Sequence, residues 1–214
     1  MVITHYSGQC FKVQFGDVSI VFDPISKASK NLDASKFGVD IALVSRKHPD
    51  FNGIAEVTYG EKVPFVVNGP GEYEYNGVTI QGFPTKSTYD IEKGTGSAIN
   101  TMYVVKLEGM TLVFLGALSD ATLPLEAREA LDTIDMLFLP IGGGEVLDVS
   151  QAEKLCVLLE PHIIIPMHYK GIGDKGSLEA FAKEGGRTLE KTDKLTIKKK
   201  EVNEKDGIII AITP

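Results

Sequence analysis

The sequence predicts an α/β fold in which two mixed β-sheets pack face to face with helices on their outer faces. Short apolar strands fill both halves of the 214-residue chain, and helix-forming stretches lie between the strands of the second half. An apolar sheet face must be buried against another layer, so two strand-rich halves favour two stacked sheets. No low-complexity tract or linker interrupts the sequence, and we expect a single domain over residues 1–214.

Tight turns separate the strands that we predict in the first half. Gly16-Asp17 and Asn76-Gly77 are hairpin signals, and the second is of the strongest short type. The predicted strands are Cys10–Phe15, Val18–Phe22, Ile41–Val44 and residues 65–67, 72–75 and 78–83. Residues 85–100 combine weak periodicity with many turn formers, which indicates a loop or lid.

Helices and strands alternate in the second half. Ser150 and Glu153 have the spacing of a capping box, which predicts a helix from there to Leu159. Gly185 and Gly186 end a further helix. The predicted strands are residues 101–107, 111–115, 136–141, Ile163–Met167, 195–202 and 207–213, and the predicted helices are residues 125–131, 150–159 and 177–183.

Composition and charge argue against several partners and locations. The net charge of -7 and the pI of about 5.2 disfavour nucleic acid and anionic membranes, because both require a basic surface. The basic run Lys198-Lys199-Lys200 fits a solvated strand edge. No signal peptide opens the sequence, and no apolar run approaches the ~18 residues of a membrane span. Cys10 and Cys156 lie in unrelated contexts, so we expect reduced cysteines in a cytoplasmic protein.

The turn after the strand Ile41–Val44 looks like a metal-binding turn that has lost ligands. It reads Ser45-Arg46-Lys47-His48-Pro49-Asp50-Phe51. A His-x-His-x-Asp-His turn at this place would hold two hydrolytic metal ions, but Arg46 and Phe51 stand at its first and last positions. Arginine stays protonated and has no free lone pair, and phenylalanine has no donor atom. The sequence therefore predicts the scaffold for metal-dependent hydrolysis, but without two of the ligand side chains of this turn.

Ordered segments along nearly the whole chain resemble the metallo-β-lactamase fold superfamily, and most closely its bacterial and archaeal Zn-dependent hydrolases. Besides the turn of residues 45–51, they are Val21-Phe22-Asp23-Pro24, Asn68-Gly69-Pro70-Gly71-Glu72-Tyr73-Glu74, Phe83-Pro84-Thr85, Phe114-Leu115-Gly116-Ala117-Leu118, Leu139-Pro140-Ile141-Gly142-Gly143 and Ile165-Pro166-Met167-His168-Tyr169. The resemblance implies a four-layer αββα sandwich. It also implies hydrolysis by a metal-activated hydroxide, with zinc as the family metal.

The resemblance implies seven metal ligands, and this chain keeps three of them. The remnant ligands are His48, Asp50 and His168, and Asp50 is also the remnant of the catalytic centre. The vacated ligand positions are Arg46, Phe51, Ser87 and Ala117. A catalytic zinc needs about three protein ligands and an open position for water, and the remnants are divided between two sites. We therefore expect no metal cofactor in the purified protein.

Side chains are expected to replace the charge and the volume of the metals. A buried carboxylate without its metal needs another cation or must become neutral. We therefore expect Arg46 to form a salt bridge with Asp50 first and with Asp23 second. Further replacements are predicted at Lys86 for charge and at Phe51 and Phe114 for volume.

Three functions remain open at this point. The first is a catalytically silent family member that keeps a pocket for a small-molecule ligand or for assembly, including a homo-oligomer. Its predicted pocket residues are Asp23, Arg46, Lys86, Ser87, Gly142 and Gly143. The second is a weakly active hydrolase with one metal ion on His48, Asp50 and His168. The third is metal-independent chemistry by a set of Ser45, Lys86 and Ser87.

Several of these residues also have a purely structural interpretation. His48 fits a hydrogen-bonded turn histidine, and Asp23 before Pro24 fits an Asx turn that ends a strand. The glycines at 142–144 lack the Gly-Lys-Ser/Thr of a phosphate loop, which disfavours nucleotide binding. The fold alone does not indicate a substrate.

Overall fold

Two mixed β-sheets face each other in the computed structural model of the chain, which describes residues 1–92, 96–170 and 172–214. The first sheet has the order β13-β1-β2-β3-β4-β5. Its strands are β1 (Val2–Ser7), β2 (Cys10–Phe15), β3 (Val18–Phe22), β4 (Ile41–Val44), β5 (Phe65–Asn68) and β13 (Leu195–Thr196). Strands β13, β1, β2 and β3 pair antiparallel, and β3, β4 and β5 pair parallel.

The second sheet has the order β12-β14-β11-β10-β9-β8-β7-β6. Its strands are β6 (Gly71–Tyr75), β7 (Val78–Ser87), β8 (Ala98–Leu107), β9 (Met110–Phe114), β10 (Met136–Pro140), β11 (Ile163–Met167), β12 (Leu189–Thr192) and β14 (Ile208–Ile212). The hairpins from β6 to β9 are antiparallel, and the remaining pairs are parallel. The predicted α/β architecture of two mixed sheets is confirmed.

Aromatic side chains fill the space between the two sheets. Phe22 of the first sheet stacks on Phe114 of the second, with ring centroids 4.6 Å apart. The Tyr103 hydroxyl crosses between the sheets and donates a hydrogen bond to the Val44 carbonyl at 2.6 Å. The prediction that Phe114 fills the vacated metal site is therefore wrong, because the alternation of β9 directs this side chain into the central core.

Different elements cover the outer faces of the two sheets. Helices α1 (Leu125–Ala130), α2 (Val149–Leu159) and α3 (Ser177–Glu184) pack on the second sheet, where Leu155 and Phe181 are buried. The first sheet is covered by residues 24–40 and the 3-10 helix Ile54–Val57, which bury Ile25 and Val39 against it. In the described part of the chain, no helix is long and apolar enough to cross a membrane.

The capping box of α2 lies two residues earlier than predicted. Gln151 donates its backbone N–H to the Asp148 side chain at 2.8 Å, and its own side chain accepts the Asp148 N–H at 3.0 Å. The box predicted at Ser150 and Glu153 is therefore wrong, and the Glu153 carboxylate instead pairs with Arg187 at 2.8 Å. Asp148 and Ser150 are both favourable N-cap residues, so the sequence alone does not distinguish the two overlapping boxes.

The strand predicted over residues 195–202 is also wrong. Only Leu195–Thr196 pairs in the sheet, and Lys199–Val202 forms the short helix α4. The helix brings the Lys199 ammonium to 2.6 Å from the Asp135 carboxylate, which is buried. The lysine run is therefore not a solvated strand edge. Strands β7 and β8 are longer than predicted, so the expected 85–100 loop shrinks to residues 88–97, and Lys93, Gly94 and Thr95 lie outside the described residues.

We predict that Lys199→Ala destabilises the protein by about 1–3 kcal/mol, because it leaves the buried Asp135 carboxylate without its cation. Lys200→Ala is the matched control, since Lys200 is the exposed neighbour on the same helix and its removal should change stability by less than about 0.5 kcal/mol. Urea unfolding of both variants checks this, and equal unfolding free energies would show that the pair contributes nothing.

Candidate functional site

The candidate site lies where several strands end at one edge of the two sheets. Strands β3, β4, β9, β10 and β11 end there, and so does β7, which runs in the same direction as β9. The residues that follow these strand ends are Asp23, the turn 45–51, Ala117, Gly142 with Gly143, and His168. Carboxyl ends of parallel strands are the usual place for a site in an α/β sheet. The fold thus brings together residues that are far apart in sequence.

Asp23 fixes the start of the turn 45–51 from a fully buried position. Its carboxylate accepts the Ser45 N–H and the Ser45 hydroxyl, both at 2.6 Å, and also the side-chain amide of Gln9. Burial raises the pKa of Asp23 to about 7, although the hydrogen bonds from Ser45 and Gln9 act against this increase. Asp23 therefore orients the turn through its hydrogen bonds to Ser45. An Asx turn that ends β3 would not by itself account for these bonds.

His168 is linked to the same network through Gln9. Its backbone is left-handed, with φ 59°, and its Nε2 lies 2.5 Å from the Gln9 side-chain oxygen. The side-chain nitrogen of Gln9 faces Asp23, so its side-chain oxygen faces His168 and can only accept a hydrogen bond. We therefore assign the imidazole proton of His168 to Nε2. Burial lowers the pKa of His168 to about 3, so the ring is neutral. Gln9 was not predicted as a site residue, because it is a polar residue in a strand connection with no recognisable spacing to its partners.

Asp50 has its carboxylate satisfied by neutral donors. Ser29 donates to one oxygen at 2.6 Å, and Tyr89 and Asn31 donate to the other at 2.7 Å and 3.1 Å. Burial opposes ionisation of Asp50, but these hydrogen bonds and the nearby His48 outweigh it and hold its pKa below the usual value. Both oxygens that a metal would take are already bonded within the chain.

Arg46 does not form the salt bridge that we predicted. Its buried guanidinium donates to the Tyr89 carbonyl through Nη1, and the same nitrogen lies 3.4 Å from the Ser87 hydroxyl. The expected pairs with Asp50 and Asp23 are wrong, because hydroxyl and amide donors already satisfy both carboxylates. Burial lowers the pKa of Arg46. An arginine nevertheless stays charged in a protein, so a fixed positive charge lies in the site.

Tyr89 contacts all three residues that were predicted as remnant ligands. Its ring centroid lies 4.8 Å from Phe51, 5.3 Å from His48 and 5.6 Å from His168. The side chain is 5 % exposed and belongs to an apolar cluster that includes Phe51 and Ala117. Tyr89 was not predicted as a site residue, because it lies in the segment that we predicted as a loop. An aromatic residue among turn formers was the available signal.

His48 has both ring nitrogens engaged. Nδ1 accepts the Asp50 N–H at 3.2 Å, and Nε2 lies 3.0 Å from the Asp90 carboxylate. Among the residues that the structure describes, no three His, Cys, Asp or Glu side chains are grouped so that they could hold a metal ion. The remnants His48, Asp50 and His168 therefore do not fit the metal that the resemblance implies.

The other predicted pocket residues are placed differently. Ser87 is buried beside Arg46, whereas Lys86 is exposed, so Lys86 brings no charge into the buried site and is not grouped with Ser45 and Ser87. A Cβ atom on Gly142 would lie 2.4 Å from the His168 carbonyl, so this glycine permits close packing of two loops. Gly143 lines a cavity of about 280 Å³ beside Tyr89 and His168.

Comparison with known proteins places this geometry in a family. A sequence model of the beta-lactamase superfamily domain matches residues 2–168. A UPF0173 metal-dependent hydrolase of Pyrococcus furiosus is 33 % identical over 183 residues, which cover 72 % of this chain and 78 % of the relative. The structure of a proposed Zn-dependent hydrolase of the metallo-beta-lactamase superfamily from Thermotoga maritima has a TM-score of 0.73 at 24 % identity and covers 99 % of both chains.

A third similar protein is Igni18, a metallo hydrolase from Ignicoccus hospitalis. Its structure has a TM-score of 0.64 at 17 % identity and covers 99 % of this chain and 94 % of the other. Two stacked mixed sheets with the site at the strand ends define a metallo-β-lactamase fold. The chain belongs to the metallo-β-lactamase superfamily, within a family of metal-dependent hydrolases.

We predict that Asp23 and His168 affect the pH dependence of stability in opposite directions. The pKa of Asp23 is 3.8 in the unfolded state and about 7 in the folded state. Its contribution to stability therefore falls as the pH rises between these values. The pKa of His168 is 6.5 in the unfolded state and about 3 in the folded state. Its contribution to stability is therefore lost as the pH falls from 6.5. Each effect amounts to about 2 kcal/mol between pH 7 and pH 5.

Urea unfolding at pH 7 and pH 5 measures this. Asp23→Asn should lose more stability than the natural protein on acidification. The stabilising effect of Asp23 at low pH is then absent, and the destabilising effect of His168 remains. His168→Gln should lose less, or become more stable. The same pH slope in both variants and in the natural protein would contradict the assigned protonation states.

Proposed function

We propose that this protein is a catalytically silent member of its hydrolase family, in which side chains have replaced the metal centre. The observation that carries the proposal is the position of Tyr89. Its ring contacts both His48 and His168, and its hydroxyl donates to Asp50. A single side chain thus contacts all three remnant ligands. The site then serves for binding a small molecule or for assembly, including a homo-oligomer, rather than for hydrolysis.

Ligand number and charge support this proposal. A catalytic zinc requires about three protein ligands and an open position for water. Here the vacated positions hold Arg46, Phe51, Ser87 and Ala117, which cannot serve as that set. The fixed charge of Arg46 opposes a divalent cation, and no compensating salt bridge to Asp50 or Asp23 reduces it.

A weakly active hydrolase with one metal ion is the alternative. It is favoured by the fact that His48, Asp50 and His168 still surround one volume. In this alternative Tyr89 must first leave that volume, and Asp50 must exchange its hydrogen bonds for a metal bond. Zinc is the metal to test first, since it is the family metal that the resemblance implies.

The expected location and partners are part of the proposal. A cytoplasmic protein without nucleic-acid or membrane partners is supported by the net charge of -7. The buried thiols of Cys10 and Cys156 are also supporting observations, because burial raises the pKa of each to about 12 and makes them unreactive.

We predict that the natural protein contains no stoichiometric zinc, manganese or iron, and that its melting temperature is the same with zinc and with a chelator. Mass spectrometry of metals and scanning calorimetry measure these quantities on protein prepared without an affinity tag that binds metal. A bound metal whose removal lowers the melting temperature would favour the mononuclear alternative.

We further predict that four restored ligands are insufficient while Tyr89 remains. The substitutions are Arg46→His, Phe51→His, Ser87→His and Ala117→Asp. With Tyr89→Ala added, zinc should raise the melting temperature, because a ligand that binds only the folded state stabilises it. The quadruple variant with Tyr89 is the matched control, and its response to zinc should be smaller. No response in a folded quintuple variant would mean that the resemblance extends to the fold alone.

A further inference from the structure

We propose that the volume between the remnant ligands is a binding site for a phenolic ring, which the chain fills with its own Tyr89. This inference rests on the proposed function, because it requires the volume to be free of metal. It adds the chemical class of ligand that the site recognises, namely a planar aromatic ring that carries a hydroxyl group.

The walls of the site match a planar ring. His168 and His48 approach the Tyr89 ring edge to face, at interplanar angles of 79° and 85°. Phe51 contacts it at 4.8 Å with a tilt of 52°. Edge-to-face and tilted contacts at these distances are the favourable arrangements of aromatic pairs. Ala117 and Val146 complete the apolar surroundings.

Asp50 gives the site a specific acceptor for the hydroxyl. Its Oδ2 accepts the Tyr89 hydroxyl at 2.7 Å, while Ser29 and Asn31 hold the carboxylate in place. A hydrogen bond from a hydroxyl to a carboxylate is charge-assisted and therefore stronger than a neutral one. A ring without a hydroxyl leaves this buried acceptor short of a donor, so the site distinguishes phenol from toluene.

Residues 87–90, which we call the strap, hold Tyr89 in this position. Arg46 and Ser87 bind its backbone, since Arg46 donates to the Tyr89 carbonyl and the Tyr89 N–H donates to the Ser87 hydroxyl at 3.2 Å. On the other side, the Thr88 hydroxyl donates to the Glu145 carbonyl at 3.0 Å. The ring is thus held by main-chain contacts of the strap as well as by its own contacts. In this arrangement Arg46 is a positioning residue for Tyr89.

An approach to the site already exists beside the ring. The cavity of about 280 Å³ is lined by Tyr89, His168 and Val146, by glycines of the facing loops, and by the acidic residues Glu145 and Asp174. Removal of the Tyr89 side chain would join the vacated volume to this cavity. A small ring can therefore enter without movement of the sheets.

The test uses the full chain with Tyr89→Gly, and phenol and toluene as probes. Phenol should raise the melting temperature of this variant in a saturable manner, and toluene should bind about tenfold or more weakly, because it lacks the hydroxyl. Tyr89→Phe is the control, since it keeps the ring, and it should not respond to phenol. The natural protein should respond more weakly than Tyr89→Gly, because phenol must first displace Tyr89 from the same volume.

A folded Tyr89→Gly variant without phenol-dependent stabilisation would overturn the inference, and so would equal stabilisation by phenol and toluene. The proposed function is tested by a different result, since a metal bound to the natural protein would contradict it.

A second measurement does not depend on the folding of the Tyr89→Gly variant. In the natural protein, nitration should modify Tyr59, which is 76 % exposed, and spare Tyr89. Arg46→Met should then increase nitration of Tyr89. Equal nitration of Tyr59 and Tyr89 in the natural protein would overturn the inference.

Discussion

Buried carboxylates at the strand ends are the constraint on which the rest of this site depends. Asp23 and Asp50 are both buried, and an ionised carboxylate in that position must be bonded or become neutral. Each has three donors. For Asp23 these donors fix the turn after β4, and through Gln9 they also hold His168. For Asp50 they fix the strap, because one donor is Tyr89. The loops around the site are therefore positioned by the need to satisfy two acids.

The choice of neutral donors over an arginine follows from the cost of burying charge. An ion pair removed from water loses two solvation shells, and the attraction within the pair often fails to compensate for this loss. Hydroxyl and amide donors satisfy a carboxylate with a smaller desolvation cost. Arg46 in turn bonds the Tyr89 carbonyl rather than a carboxylate, and Asp90 and Glu145 act on it from the more exposed side. The positive charge of the site is thus used to hold the backbone of the strap.

Local sequence patterns predicted most of the fold and only part of the site. The hairpins at Gly16-Asp17 and Asn76-Gly77 and the apolar strands β4, β10 and β11 follow from turn chemistry and periodicity, which act over a few residues. The helix at Lys199 was missed because its stabilising partner, Asp135, lies 64 residues away. The same reason applies to Gln9, whose contact with His168 spans 159 residues, and to Tyr89, whose contact with Asp50 spans 39. The sequence of a turn shows which polar residues it contains, but not which distant residues will donate hydrogen bonds to them.

Two of the residues at predicted ligand positions pack together around Tyr89, and under the proposed function this packing makes single reversions unfavourable. Phe51 and Ala117 stand at two of the predicted ligand positions, and both lie in the apolar cluster around Tyr89. A carboxylate at position 117 would enter that cluster without a donor, which costs free energy unless a metal arrives at once. A histidine at position 51 would exchange an aromatic contact at 4.8 Å for a polar ring in the same apolar surroundings. We therefore expect each of these two reversions to destabilise the protein before it restores any metal affinity. Under the proposed function, the packing around Tyr89 therefore opposes metal binding in addition to the lack of ligand side chains.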